Sequence, residues 1–90
     1  MFPNYLDNAK VLEHTEKGHF GFITDYNESN TPVVKEICYY AICHYEVDGD
    51  GYYIFSCDNQ FDVLNDSLLY SVAQCKESLH LPSGTIWYKK

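Results

Sequence analysis

The sequence predicts an α+β fold, an antiparallel β-meander of four to five strands with one C-terminal amphipathic helix packed on one face. Three observations predict it: apolar residues alternate over positions 37–47, a second aromatic stretch follows a short glycine-rich turn, and an apolar stripe at helical spacing follows Ser71. A chain of 90 residues has room for one hydrophobic core. We therefore expect residues 1–90 to form a single globular domain.

The central hairpin is the strongest local prediction. Alternation from Ile37 to Val47 indicates a long strand with one buried face. Asp48-Gly49-Asp50-Gly51 supplies residues that tolerate positive φ, and the β-prone run from Tyr52 to Cys57 follows it. These segments predict two antiparallel strands joined by a tight turn.

Shorter strands are predicted on both sides of the hairpin. Residues 19–26 alternate and precede the turn formers 27–32, so we expect this strand to pair antiparallel with the long strand. Downstream, a turn at 58–60 leads to a short strand at 61–66, and residues 85–88 form a last edge strand before an exposed Lys89-Lys90 tail. The first seventeen residues fit either a short helix after Asn4 or a strand near Val11.

A helix is predicted from Ser71. The Ser71 hydroxyl can accept a hydrogen bond from the amide of Gln74 while the Gln74 side chain reaches back, which is a capping box. Val72, Cys75 and Leu79 then share one apolar stripe that can lie on the sheet. The helix should end in the Leu81–Gly84 segment, since proline cannot continue it.

The charge distribution predicts the kind of partner. Between Lys35 and Lys76 there is no basic residue, but there are seven carboxylates and six of the nine tyrosines. The chain has no arginine and a net charge of −7, which disfavours nucleic acid and anionic membranes as direct partners. An anionic field without nearby cations favours a basic protein.

The cysteines are predicted to be structural. The N-terminus shows no charged leader followed by an apolar run, so we expect a cytoplasmic protein in a reducing compartment. Each cysteine lies in an apolar-rich stretch, where a thiol behaves as a small core side chain. Free thiols are thus expected at Cys38, Cys43, Cys57 and Cys75.

The sequence favours neither a metal site nor catalysis. Glu46-x-Asp48-x-Asp50-Gly51 resembles the start of a calcium-binding EF-hand loop, but the twelfth position, where a glutamate is needed, is Cys57. No pair of cysteines or histidines has zinc-finger spacing. An anionic surrounding raises a thiol pKa and opposes a cysteine nucleophile. We expect no cofactor and no enzymatic activity.

The tyrosines divide between two sheet faces. Tyr39, Tyr45, Tyr53 and Phe55 share the parity of the apolar alternation and should lie in the core. Tyr40 and Tyr52 have the opposite parity, on a face that is either covered by the N-terminal segment or open for binding. Tyrosine beside carboxylate is typical of an interface anchor. The predicted partner-binding residues are Tyr40, Glu46, Asp48, Asp50, Tyr52, Asp58, Asp62 and Asp66.

Three consecutive segments, 52–58, 61–67 and 70–78, form an aromatic strand ending in Cys-Asp, a second strand ending in Asp-Ser, and a capped helix. This pattern, over about residues 38–79, resembles the small acidic immunity proteins of bacterial polymorphic and contact-dependent toxin systems. Its matching positions are structural: Phe55 and Cys57 as core, Asp58 as turn and Ser71 as cap. Toxin contacts vary between such pairs, so the resemblance assigns none.

The resemblance implies a protein that binds and inhibits one cognate toxin domain, such as a basic nuclease, in the cytoplasm. Two other functions use the same surface. One is a phage-encoded acidic inhibitor that mimics the charge of nucleic acid, and the other is a generic small protein-interaction domain. An immunity protein differs from both because its gene directly follows that of its toxin.

Overall fold

The chain forms a curled antiparallel sheet, a separate two-stranded hairpin and one short helix. The structure is a computed structural model and describes residues 1–46 and 51–90. In chain order, the elements found in those residues are β1 (Tyr5–Leu6), β2 (Ala9–Thr15), β3 (Gly21–Tyr26), β4 (Pro32–Ile37), β5 (Tyr39–His44), β6 (Tyr52–Cys57), β7 (Val63–Leu69), α1 (Val72–Leu79) and β8 (Trp87–Lys89).

The main sheet has six strands in the order β1-β2-β5-β6-β7, and β8 also pairs with β2. Strands β5, β6 and β7 follow one another as an antiparallel meander, with Tyr39 opposite Cys57 and Cys43 opposite Tyr53. The α+β class and the central hairpin are therefore confirmed. The predicted turn residues Asp48, Gly49 and Asp50 lie outside the described residues.

The pairing predicted for residues 19–26 is wrong. Strand β3 pairs with β4, not with the long strand, and the two form a sheet of their own. The long strand starts at Tyr39, because Ile37 is the last residue of β4. The Asn27 side chain closes the intervening turn by accepting hydrogen bonds from the amides of Ser29 at 2.9 Å and Thr31 at 3.0 Å. A closed turn of this length delivers the next β-prone segment directly to β3.

The N-terminal segment is a strand hairpin and not a helix. Strands β1 and β2 are joined by Asp7 and Asn8, whose φ angles of 46° and 68° are both positive. Two-residue hairpin loops with this geometry favour Asp and Asn, which tolerate the left-handed region. Strand β2 then pairs with β5, so the N-terminal segment enters the centre of the sheet.

Hydrophobic residues cluster on both faces of the sheet. On the face we name the Phe55 face, the buried residues are Phe2, Leu6, Ala9, Val11, Ala41, Cys43, Phe55 and Cys57, with Tyr39, Tyr45, Tyr53, Phe61 and Val63 packed around them. On the Ile42 face, Ile42, Ile54 and Cys75 are buried, with Tyr40, Tyr52, Leu69, Val72, Leu79 and Trp87 packed around them. The predicted core positions of Tyr39, Tyr45, Tyr53 and Phe55 are confirmed.

Helix α1 begins as predicted. Ser71 is its N-cap, and its hydroxyl accepts from the Gln74 amide at 3.1 Å. The Gln74 side chain does reach back, but it accepts from the amide of Tyr70 and not from Ser71. His80, at φ 50°, closes the helix in the left-handed region. In the described parts of the chain, no helix is long and apolar enough to cross a membrane.

The C-terminal strand begins two residues later and ends one residue later than predicted. Strand β8 covers Trp87–Lys89 and pairs with β2, so Lys89 is part of the sheet and not of a tail. Lys90 is also held, since its amide donates to the Leu12 carbonyl at 2.9 Å and its ammonium donates to the Phe2 carbonyl. Both lysines are exposed as predicted, but they do not form a tail, because their backbone is hydrogen-bonded to β2.

Candidate protein-binding surface

The predicted partner-binding residues are spread over both ends and both faces of the sheet. Glu46 is exposed just after β5, whereas Asp58 and Asp62 lie in the β6–β7 turn at the opposite end of the central strands. A six-residue strand separates these ends by about 17 Å. Asp48 and Asp50 belong to the residues that the structure does not describe.

Tyr40 and Tyr52 lie on the Ile42 face and are half-buried. The amide of Tyr40 donates to the hydroxyl of buried Thr15 at 3.1 Å, and its ring lies 5.2 Å from that of Phe20. The Tyr52 ring lies 5.6 Å from His44. The N-terminal segment does not cover this face, because Phe2 packs on the Phe55 face. Both tyrosine rings take part in packing on this face, and their role in binding a partner stays a prediction.

Asp66 faces the other side of the sheet, which also carries Tyr45 and Tyr53. It is directly opposite Phe55 and is exposed. Tyr53 stacks edge-on against Tyr45 at 5.1 Å, and the Tyr45 hydroxyl donates to the Asp7 carbonyl oxygen at 3.0 Å. Burial raises the pKa of Tyr45, and the carboxylates of Asp7 and Asp66 raise it further. We call Asp7, Tyr45, Tyr53 and Asp66 the acidic tyrosine cluster.

Asp58 has a structural task. One of its carboxylate oxygens accepts from the amides of Gln60 at 2.9 Å and Asp62 at 3.0 Å, and its own amide donates to the Asp62 carbonyl. These bonds fix the turn, in which Phe61 takes a positive φ of 66°. Asp62 remains exposed at the turn surface. Asp62 is thus better placed than Asp58 to meet a partner.

Three of the six lysines lie on the opposite side of the sheet from the acidic tyrosine cluster, whereas the Lys90 ammonium contacts Phe2 on the Phe55 face. Register places Lys10 opposite His44 and Lys89 opposite Glu13, which puts both on the Ile42 face. Lys76 pairs with Glu13 at 2.9 Å and lies 5.2 Å from the centre of the Trp87 ring. Among the described residues, the ion pairs are Lys76–Glu13 and His19–Glu36, so the carboxylates of Asp7 and Asp66 have no cation within 4.0 Å there.

At the other end of the sheet, lysines lie close to carboxylates. An open cavity of about 460 Å³ lies where the base of the β3–β4 hairpin meets the β6–β7 turn. Its lining residues are Lys17, His19, Lys35, Glu36, Cys38, Asp58 and Asn59. Two lysines therefore lie close to Glu36 and Asp58 and offset their charge. Asp7 and Asp66, by contrast, have no lysine on their side of the sheet within ion-pair distance among the described residues.

All four cysteines are buried free thiols. Burial, the largest cause, raises the pKa of Cys43 and of Cys57 to about 12; Asp7 adds to both, and Asp58 and Asp62 add to that of Cys57. Burial also raises the pKa of Cys38 and Cys75. A thiol in such a setting stays protonated at neutral pH and is a poor nucleophile. In the described residues, no group of three or more His, Cys, Asp or Glu side chains could hold a metal ion.

Asp7 is the residue that sequence reasoning missed. A signal for it exists, because Leu6-Asp7-Asn8-Ala9 has the two-residue Asp-Asn turn between β-prone segments that marks a tight hairpin. Placing Asp7 beside Tyr45 also requires knowing that β2 pairs with β5, which brings together residues 38 positions apart.

No protein-family model, curated protein or solved structure matches this chain. Its function therefore has to be argued from the geometry of the surface itself.

Proposed function

We propose that this protein is an immunity protein, which binds a cognate basic toxin domain in the cytoplasm and inhibits it through the Phe55 side of the sheet. The observation that carries the proposal is the separation of charge across the sheet. Asp7 and Asp66 lie near Tyr45 on one side, and Lys10, Lys76 and Lys89 lie on the other, while Lys90 is the lysine that contacts Phe2 on the Phe55 side.

The arrangement of the fold supports a binding role for this side. We infer that α1, through Cys75, Val72 and Leu79, covers the Ile42 face and leaves the acidic tyrosine cluster at the margin of the opposite face. Half-buried tyrosines are rigid anchors with little side-chain entropy to lose, and the carboxylates beside them orient a cationic partner and accelerate its approach. Inhibition needs only occupancy of the toxin's functional surface, with no chemical step.

The proposal is tested by co-expression. The protein encoded directly upstream of this gene should arrest growth when expressed alone, and this chain should restore growth. Replacing Asp7 and Asp66 together by Asn should weaken protection, because it removes the charge while Asn still tolerates the positive φ at position 7.

A matched control separates position from net charge. Replacing exposed Glu16 and Glu77 by Gln removes the same two charges elsewhere and should leave protection intact. An upstream product that is harmless, or whose toxicity this chain does not relieve, would rule out the immunity function. Equal loss of protection in both double variants would assign the effect to net charge and not to the acidic tyrosine cluster.

A further inference from the structure

The β3–β4 hairpin exposes an apolar face that no other part of the described chain covers. Register places Phe22, Tyr26 and Val34 on its outer side, with Phe22 opposite Glu36, Val34 opposite Thr24 and Tyr26 opposite Pro32. These three side chains are 70%, 61% and 62% exposed. With roughly 200 Å² for each aromatic side chain, they present about 300–400 Å² of apolar surface, the size of patch that is often functional in monomers.

The inner side of the hairpin is partly buried. Ile23, Val33 and Lys35 are half-buried there, and Ile37 is buried at the base. The Gly18 amide donates to the Cys38 carbonyl and the Phe20 amide to the Ile37 carbonyl, both at 2.9 Å, which closes the base of the hairpin. The Cys38 amide in turn donates to the Cys57 carbonyl of β6 at 2.8 Å, so the base is fixed to the main sheet. A two-stranded hairpin is marginal by itself in water. Exposed aromatic residues on its outer face are therefore a cost that a bound partner would offset.

Charge and area indicate which partner. The hairpin has three acidic residues, Asp25, Glu28 and Glu36, and one basic residue, Lys35. The net charge of the chain as a whole is −7. A second copy would bring two like-charged hairpins together over an apolar area well below the roughly 800 Å² per partner of a stable interface. A basic protein with an apolar groove meets both the charge and the apolar surface.

The hairpin also adjoins the end of the sheet that carries the β6–β7 turn. Lys35 and Glu36 at its base share the 460 Å³ cavity with Asp58 and Asn59 of that turn, which also carries exposed Asp62. A partner domain on the Phe55 side that extends to this end of the sheet would reach the hairpin. We propose that Phe22, Tyr26 and Val34 dock into an apolar groove bordered by lysine or arginine on the same basic protein, an inference that rests on the proposed function.

The probe for this docking is a short peptide of alternating leucine and lysine, compared with a serine-lysine peptide of equal charge. By isothermal titration, we expect the leucine peptide to bind the wild-type chain at least about tenfold more tightly than the serine peptide. Replacing Phe22, Tyr26 and Val34 by Thr, which keeps β-propensity, should remove that preference. The control replaces Tyr70 and Ile86, 73% and 47% exposed elsewhere, by Thr and should retain it.

A second readout uses the unmodified protein, so the test does not depend on the folding of a variant. Amide chemical shifts should move in residues 22–34 when the leucine peptide is added. Shifts elsewhere, or a leucine preference that survives the triple substitution, would overturn the proposal. Self-association that the triple substitution abolishes would also overturn it, because the occupant would then be a second copy. Loss of protection in the Asp7 and Asp66 variant tests the proposed function separately, since those residues are not in the hairpin.

Discussion

At the scale of single residues, burial and nearby surface carboxylates together raise the pKa of two core thiols. Cys43 and Cys57 lie on the Phe55 face with no exposed area, and their pKa values rise to about 12 from an ordinary 9.0. The native state keeps both protons over a pH range in which the unfolded chain loses them. Below pH 9 both states are protonated, so the raised pKa values do not change the free energy of unfolding. Above pH 9 the unfolded state is stabilised by losing these protons, and the free energy of unfolding falls.

Stability should therefore fall between pH 9 and pH 12. Each thiol contributes a slope of up to about 1.4 kcal/mol per pH unit, so the pair contributes roughly 2–3 kcal/mol per unit. The measurement is the free energy of urea unfolding at several pH values, for the wild type and for a variant with both residues changed to Ala. The variant should show the shallower decline, and equal slopes in the two proteins would contradict the buried, protonated state of these thiols.

Thr15 is a second residue whose role depends on long-range contact. It is fully buried, and its hydroxyl accepts from the Tyr40 amide 25 positions away at 3.1 Å. Thr15→Val keeps the shape but leaves that amide without its acceptor, which should cost about 1–3 kcal/mol. Urea unfolding measures the loss, with Thr24→Val on exposed β3 as the control. An unchanged stability would show that the Tyr40 amide finds another acceptor.

Residue-level predictions succeeded where alternation alone decides the outcome. The parity of Tyr39, Tyr45, Tyr53 and Phe55 follows from the period of a strand, and all four lie on the Phe55 face. Thr15 and Asp7 could not be placed this way, because their partners come from β5 and the segment after it. A polar residue in a strand looks the same in sequence whether it is buried or exposed.

At the scale of elements, local signals were sufficient for the helix. Ser71 caps α1, and the helix ends at Leu79 before Pro82. Ser71→Ala removes the acceptor for the Gln74 amide and should cost about 1 kcal/mol. Thermal unfolding checks this, with Ser83→Ala in the exposed turn after the helix as the control. A loss of similar size in both variants would argue against the cap as the cause.

Strand partners were harder to predict than strands. Alternation predicts the strand at residues 19–26. Whether its pairing partner is β4 or the long strand depends on whether residues 33–37 form a strand of their own. The two valines of Pro32-Val33-Val34 have strong β-propensity, but the proline and the short length of the run argue against a strand. The sheet order β2-β5 likewise skips a hairpin, which no local pattern reveals.

At the scale of the whole molecule, sequence predicted the amount of charge but not its distribution in space. The stretch without basic residues between Lys35 and Lys76 is folded so that Asp66 faces one side of the sheet while Tyr40 and Tyr52 face the other. Lys17 and Lys35 return near Asp58 across the cavity. Asp7 and Asp66 lie away from those two lysines and have no ion pair among the described residues, as is also true of exposed Glu46 and Asp62.

On our proposal, Asp7 and Asp66 guide a basic protein to the tyrosines on their side of the sheet. The most direct measurement is the association rate of the chain with the protein encoded directly upstream, by stopped flow across a range of ionic strength. For the wild type and the Glu16, Glu77 variant, the rate should fall steeply with salt. For the Asp7, Asp66 variant it should be about tenfold lower at low salt and should fall less steeply with salt than for the other two proteins. The same rate and the same salt dependence in both variants would contradict the claim.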